Sequence, residues 1–329
     1  MDAWAPRVHV SLAVNDYDHV RDLCTGSVPV TGVALTVLNH PVEEIFFRFA
    51  RHREWDVSEL SMAKYCALRG SGDDSLTAIP VFPSRLFRHS AIFIREDGPA
   101  DDPAALRGGR IGVPEWTQTA TVYARDLLES DHGVRLEDVT WVQAGTHEPG
   151  RVEGIPFEPP AGIRIERRPD TTLGDLLTAG EVDAVIAAHP LRDTGRIRRL
   201  FTDPEEVERA YFARTGVFPI MHVIVLRAVL HDRHPWVAMN LMTAFEEAKR
   251  RGLERAAEVN ASRIPVPWQA AHTERVRRLF GGDFWPYGIE PNRTTLDAFL
   301  RMCRRQGLTT NPLTAEDLFA PEVHDHYRV

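Results

Sequence analysis

Two apolar runs in this chain carry polar side chains that a buried strand accommodates only at a cost. The first spans residues 81–95. There Pro83-Ser84-Arg85 and Arg88-His89-Ser90 lead straight into Ala91-Ile92-Phe93-Ile94. The second spans residues 216–226, where His222 stands alone among Val217, Ile220, Met221, Val223, Ile224 and Val225. Charged and hydroxyl groups beside a buried strand cost several kcal/mol unless they face a cleft, a ligand or a partner. The two stretches therefore read as strands that cross between two lobes, and the rest of the chain sorts into what precedes, separates and follows them.

Before the first crossing, strands and helices alternate. Residues 8–14 and 33–38 read as strands. Pro41-Val42-Glu43-Glu44 opens a helix at the position where proline's missing N–H costs nothing. Residues 55–61 form a short strand that runs into a Ser-capped helix over 62–68. Residues 78–82 are strand-like. Between the crossings the pattern repeats: strands at 111–113, 140–142 and 183–188, and helices beginning near 114, 172 and 204. Residues 147–169, rich in Pro and Gly, make a long surface excursion with a short strand at 163–165. After the second crossing the chain is mostly helical, with helices at 235–251 and 293–306. Alternation of this kind predicts an α/β fold of two parallel-rich sheets flanked by helices, with a cleft between the lobes and two crossover strands. Lobe 1 takes residues 1–92 and 223–329, and lobe 2 is the insert 93–222. Ligands of such sheets bind beyond the carboxyl ends of the strands.

Length and composition exclude several classes. A chain of 329 residues can build two cores. Its net charge of −8 is dispersed, with no basic run for nucleic acid or a membrane surface. No apolar run approaches the ~20 residues of a membrane span. The first residues, Met1-Asp2-Ala3-Trp4-Ala5-Pro6-Arg7, lack the basic start and apolar core of an export signal, so the expected location is the cytoplasm. Cys24, Cys66 and Cys303 are too few and too scattered for a disulfide frame and read as reduced, buried thiols. The dense histidine pairs, His231-Asp232-Arg233-His234 and His324-Asp325-His326, lack zinc-site spacing with a third ligand, so no metal is expected.

Several of these strings resemble the 4,5-dihydroxyphthalate decarboxylase family. They are Asp16-Tyr17-Asp18, Asp56-Val57-Ser58-Glu59, Pro83-Ser84-Arg85 with Phe87-Arg88-His89-Ser90, Ile111-Gly112-Val113-Pro114-Glu115, Phe218-Pro219-Ile220-Met221-His222 and Asp283-Phe284-Trp285-Pro286-Tyr287-Gly288. The resemblance runs nearly end to end. It implies the two-lobed fold of type 2 periplasmic solute-binding proteins and loss of CO2 from a hydroxylated aromatic dicarboxylate without an organic cofactor. The partner it implies is that small aromatic carboxylate, with no nucleic acid and no membrane. A homo-oligomer stays open, because the apolar face of 235–251 suits either a core or a second subunit.

Residue types then nominate roles. Arg85 and Arg88 offer planar forks of donors that match a carboxylate. His89 and His222, one on each crossing, could face each other across the hinge and move a proton near neutral pH. Glu115 and Glu59 are the further proton-transfer candidates, Glu115 only if burial raises its pKa. Trp116, Thr117, Gln118 and Thr119 stand at a predicted helix start whose free N–H groups could hold a carboxylate. Ser90 could anchor a ligand oxygen. Asp16, Tyr17 and Ser61 lie in loops that should open on the cleft, and Trp285 and Tyr287 could stack on a ring. Each also has an ordinary structural use: ion pair, helix cap, turn or core packing. Two other functions fit the same fold, a binding protein that does no chemistry and a lyase or dehydratase acting on another carboxylated ring.

Overall fold

The computed structural model describes residues 7–98, 102–192 and 195–324. Residues 1–6 and 325–326, both used in the sequence reading, lie outside the described residues.

Sheet 1 holds β1 (Val8–Ala13), β2 (Val33–Leu38), β3 (Val57–Ser61), β4 (Leu76–Ile79) and, from far along the chain, β11 (His222–Arg227). Its order is β2-β1-β3-β11-β4. Sheet 2 holds β5 (Ile92–Arg95), β6 (Arg110–Val113), β7 (Thr140–Gly145), β8 (Arg164–Thr172), β9 (Ala184–Ile186) and β10 (Ile197–Arg199). Its order is β10-β5-β9-β6-β7-β8. The sheets are mixed rather than uniformly parallel. β1, β2 and β3 pair in parallel, as do β9, β6, β7 and β8. β11 runs antiparallel to β3 and β4, and β5 antiparallel to β9 and β10. The reversals fall on the strands that enter from the other lobe. A chain arriving through the cleft meets each sheet from the end opposite to that used by a helix crossover.

The crossings themselves are extended segments joined at one antiparallel bridge, Arg85 opposite Ile220. Met221 N–H donates to the Ser84 carbonyl at 2.9 Å, and Leu86 N–H to the Pro219 carbonyl at 3.3 Å. The first crossing is not a single strand. A 3-10 turn over His89–Ala91 re-aims the chain before β5 begins.

The helices are α1 (Arg21–Cys24), α2 (Val42–His52), α3 (Met62–Gly70), α4 (Thr119–His132), α5 (Leu173–Ala179), α6 (Pro204–Thr215), α7 (Ala228–Arg233), α8 (Trp236–Ala256), α9 (Gln269–Leu279) and α10 (Arg293–Arg305). None is long and apolar enough to cross a membrane. One large core joins the lobes. α8 buries Val237, Leu241, Phe245 and Ala248 against lobe 1, while Tyr123 of α4 stacks on Phe299 of α10 at 4.8 Å. A smaller core, with Leu173, Leu176, Leu177 and Val185, lies between α5 and sheet 2. The three cysteines are free, Cys66 and Cys303 buried and Cys24 half-buried.

One local expectation fails for a physical reason, and a second is extended. Ser61 stands at the N-cap of α3 without capping it, because its hydroxyl reaches Thr119 of lobe 2 at 2.8 Å instead. The excursion after β7 is not merely surface chain. It forms the long edge strand β8 and, before that, folds back over the cleft.

Candidate active site

The carboxyl ends of β1, β3, β6, β7 and β9 all open on one cavity of about 1,200 Å³, which the amino end of antiparallel β11 joins. Those ends deliver Asn15 and Tyr17, Ser61 and Lys64, Glu115, Gln118, Thr119 and Ala120, residues 146–154, Ala188 to Pro190, and His222. The crossings add Ser84, Leu86, Arg88 and Met221, and α2 adds Glu43, Phe46 and Phe47.

Glu59 lies behind this wall, with no exposed surface. β3 is central in sheet 1 and buried along its whole length, so a carboxylate there must be satisfied by protein groups. It is. Oε2 accepts from the Asn15 N–H at 2.9 Å, and Oε1 accepts from the Tyr17 hydroxyl at 2.6 Å and stands 2.6 Å from His222 Nδ1. A carboxylate only accepts, so His222 carries its proton on Nδ1 and turns Nε2 to other work. Phe46 packs edge-on against the imidazole, centroids 4.9 Å apart. Burial, then the Glu59 charge and hydrogen bond, drive the Tyr17 phenol far up, which keeps its proton on the donor side of the bond.

Arg88 lines the cavity with its Nε 2.9 Å from Met221 Sδ, and among the described residues it makes no hydrogen bond to an oxygen. Burial pulls its pKa down to about 10, against the pull of Glu208, so it remains a cation facing the cleft. Arg85 does the opposite. It is 3 % exposed and turned into the lobe junction, where it donates to Asn292 Oδ1 at 2.8 Å, to the Phe218 carbonyl at 2.8 Å and to the Pro286 carbonyl at 3.3 Å, over the face of Phe218.

The two histidines do not face each other. The turn at His89–Ala91 rotates His89 into lobe 2, between Phe201 and Tyr211, with Nδ1 3.9 Å from Glu208 Oε1 and outside the cavity lining. Burial, with the nearby His132 and Arg214, lowers its pKa to about 4. Ser90 lies outside the lining too, its backbone N–H serving Glu208.

Glu115 is buried in the wall, but as an ion pair. Lys64 Nζ lies 2.5 Å from Oε2, and Arg151 donates to Oε1 from Nε at 2.9 Å and Nη2 at 2.5 Å. Burial pushes this carboxyl up, yet the two cations outweigh it and hold it below its ordinary value, contrary to the raised value an acid needs. The predicted helix start at 114 is displaced to Thr119. Two of the N–H groups before it are taken: Trp116 N–H and Thr117 N–H, together with the Thr117 hydroxyl, donate to Glu153. Trp116 itself is core, stacked on the Arg125 guanidinium at 3.6 Å. Gln118 and Thr119 do line the cavity, Thr119 joined to Ser61. Asp16 is exposed and outside the lining. Trp285 donates to the Phe82 carbonyl and Tyr287 is buried over Lys249, so neither offers a stacking face to the cleft. Among the described residues no three His, Cys, Asp or Glu side chains gather as a metal site would require.

Lys64, Arg151 and Glu153 escaped the sequence reading. One signal was available for Lys64: the chain has 39 Lys plus Arg but only two lysines, Lys64 and Lys249, and both are buried. A buried lysine must have a partner.

This geometry stands beside three comparisons. Over 328 residues, 98 % of this chain and 99 % of the relative, the sequence is 37 % identical to a 4,5-dihydroxyphthalate decarboxylase from Comamonas testosteroni. The chain belongs to the 4,5-dihydroxyphthalate decarboxylase family. A family member from Pseudomonas putida, of the same name, is 41 % identical over 209 residues, 60 % of this chain and 79 % of that one. Among solved structures, the periplasmic aliphatic sulphonate binding protein SsuA from Escherichia coli superimposes with a TM-score of 0.53 at 11 % identity, covering 97 % of this chain and 99 % of that one. The fold is thus the two-lobed type 2 periplasmic-binding-protein fold, and family membership makes the chain a carboxy-lyase. No protein-family model matches.

Proposed function

We propose that this enzyme removes one carboxylate from a hydroxylated phthalate, 4,5-dihydroxyphthalate being the compound its curated relatives are named for, and that His222 supplies the proton. The observation that carries the reading is the Glu59–His222 contact at the floor of the cleft. In the imidazolium state, with Nδ1–H held by Glu59, His222 gives the Nε2 proton to the ring carbon that bears the departing carboxylate. The hydroxyl para to that carbon pushes an electron pair into the ring as the proton arrives. The carbon–carbon bond then breaks, its pair restores the aromatic ring, and neutral CO2 leaves. The ring hydroxyl does the work of an electron source, so the scheme calls for no organic cofactor. Arg88, a cation that among the described residues pairs with no carboxylate, anchors a substrate carboxylate. Phe46 and Met221 give the cleft a less polar stretch in which CO2 is favoured over a carboxylate.

CO2 release from 4,5-dihydroxyphthalate, with product analysis, tests this in the wild type and in His222→Ala. Turnover in the wild type, lost in a variant that still binds the substrate, is the expected result. Turnover undiminished in the variant would assign the proton to another group.

A further inference from the structure

Residues 146–154 leave β7 and lie along the cavity wall. Three features fix this segment. Glu153 closes a set of hydrogen bonds onto lobe 2, accepting from the Trp116 and Thr117 N–H groups, from the Thr117 hydroxyl at 2.8 Å and from Gln143 Nε2 at 2.9 Å. Arg151 makes the two-pronged contact with Glu115. At Gly154 the bare Cα lies against Lys64: a Cβ there would stand 2.5 Å from Lys64 Cε.

The charges do not cancel. Lys64 and Arg151 bring two positive charges to the single negative charge of Glu115. Lys64 has three N–H donors and spends one on Glu115. Arg151 spends Nε and Nη2, and among the described residues its Nη1 makes no hydrogen bond. Both side chains line the cavity. Within this trio the balance is one positive charge with unspent donors, held in place by a buried carboxylate, while Glu153, on the same wall, turns its oxygens to the lobe 2 donors. Arg88 is a second cation on the same cavity.

We infer that Lys64 and Arg151 together receive the second carboxylate of an aromatic dicarboxylate, that Glu115 is the positioning residue which aims them, and that Glu153 latches the segment carrying Arg151 over the cleft. The inference rests on the reading of Arg88 as the seat of the other carboxylate. Two separated cationic centres make the cleft selective for dianions. A monocarboxylate engages one of them and leaves the spare donors of the other without an acceptor.

The test is equilibrium binding, which needs no turnover. Phthalate and benzoate, which lack ring hydroxyls, are titrated calorimetrically into the wild type, Arg151→Met, Glu153→Gln and Gly154→Ala. The wild type should bind phthalate at least tenfold more tightly than benzoate. Arg151→Met should erase most of that preference while changing benzoate affinity less than about threefold. Glu153→Gln should lose part of the preference, and in turnover of 4,5-dihydroxyphthalate its defect should fall on KM and spare kcat. Gly154→Ala reaches Lys64 from the opposite side and should give the same selective loss, which guards against one variant failing to fold. A wild type without preference for phthalate, or an Arg151→Met variant that weakens both ligands equally or neither, overturns the inference. Retained preference in an enzyme that releases no CO2 would instead sink the catalytic proposal and leave this one standing.

Discussion

Glu59 Oε1 and His222 Nδ1 lie 2.6 Å apart on adjacent antiparallel strands that come from opposite ends of the chain, β3 and β11. Their register sets His222 opposite Ser61 and Ile224 opposite Glu59. The imidazole is thereby held by a carboxylate that has no exposed surface. Replacing His222 by Ala should lower kcat by about 10²–10⁴-fold, the span of general acid catalysis, with substrate affinity within a few-fold of wild type. Glu59→Gln keeps the shape but loses the charge that stabilises the imidazolium. It should lower kcat as well, by less than the loss of the imidazole itself. Steady-state kcat and KM of each variant decide both.

Arg85 and Arg88 are three residues apart and should fail in different ways. Arg88→Met removes a charge facing the cavity and should raise KM roughly 10–100-fold, as expected for losing a charged hydrogen bond, with little change in Tm. Arg85→Met leaves the Asn292 side-chain oxygen and the Phe218 carbonyl without their donor, the Pro286 carbonyl keeping Asn292 Nδ2, and should cost roughly 2–4 kcal/mol of stability. Thermal melts beside KM values separate the two.

His89 predicts an acid limit to stability. Its folded pKa, about 4, lies below the ordinary histidine value, so the unfolded chain binds more protons between the two. Stability is complete above pH ~6.5 and declines as pH falls from there towards 4. Half-buried His19, also lowered to about 4 by desolvation, acts in the same direction. Half-buried Glu208, raised by its own burial, acts in the opposite one. His89→Gln should flatten the decline, measured as the denaturant midpoint against pH. An unchanged slope would remove His89 from the account.

His189 Nε2 lies 2.5 Å from Glu43 Oε1 across the cleft mouth, with both side chains about half exposed. Exposed pairs contribute roughly 0–1 kcal/mol. His189→Ala should therefore change KM less than about fivefold, and that difference should shrink in 0.5 M salt. A larger loss would mean that the side chain touches the substrate.

The fold was legible because its signals are local. The alternation of β1 to β4 with α1 to α3, and the apolar stripe of α8, depend on residues near in sequence. Within the site, His222, Glu59 and Tyr17 were readable as polar residues at strand ends. What decided the roles was not local. One 3-10 turn at His89–Ala91 sends His89 away from His222. Arg85 and Arg88 have the same chemistry, and only Asn292, far along the chain, claims the former. Glu115 was readable as an acid, but its two cations come from Lys64 and Arg151, on either side of it in sequence and both remote. The Pro- and Gly-rich composition of 147–169 describes a loop anywhere on a surface, and nothing in it announces that Glu153 will occupy the N–H groups of Trp116 and Thr117.

β11 also governs how the molecule is made. It lies between β3 and β4, and β4 pairs with no other strand of its sheet. During synthesis, the whole of lobe 2 must emerge before the ribosome supplies residues 222–227. Until then β3 presents an unpaired edge of main-chain N–H and C=O groups, the kind of template on which chains aggregate. A nascent chain stopped before residue 222 is half a sheet in search of a neighbour, and a second copy of itself, at high expression, is the nearest one.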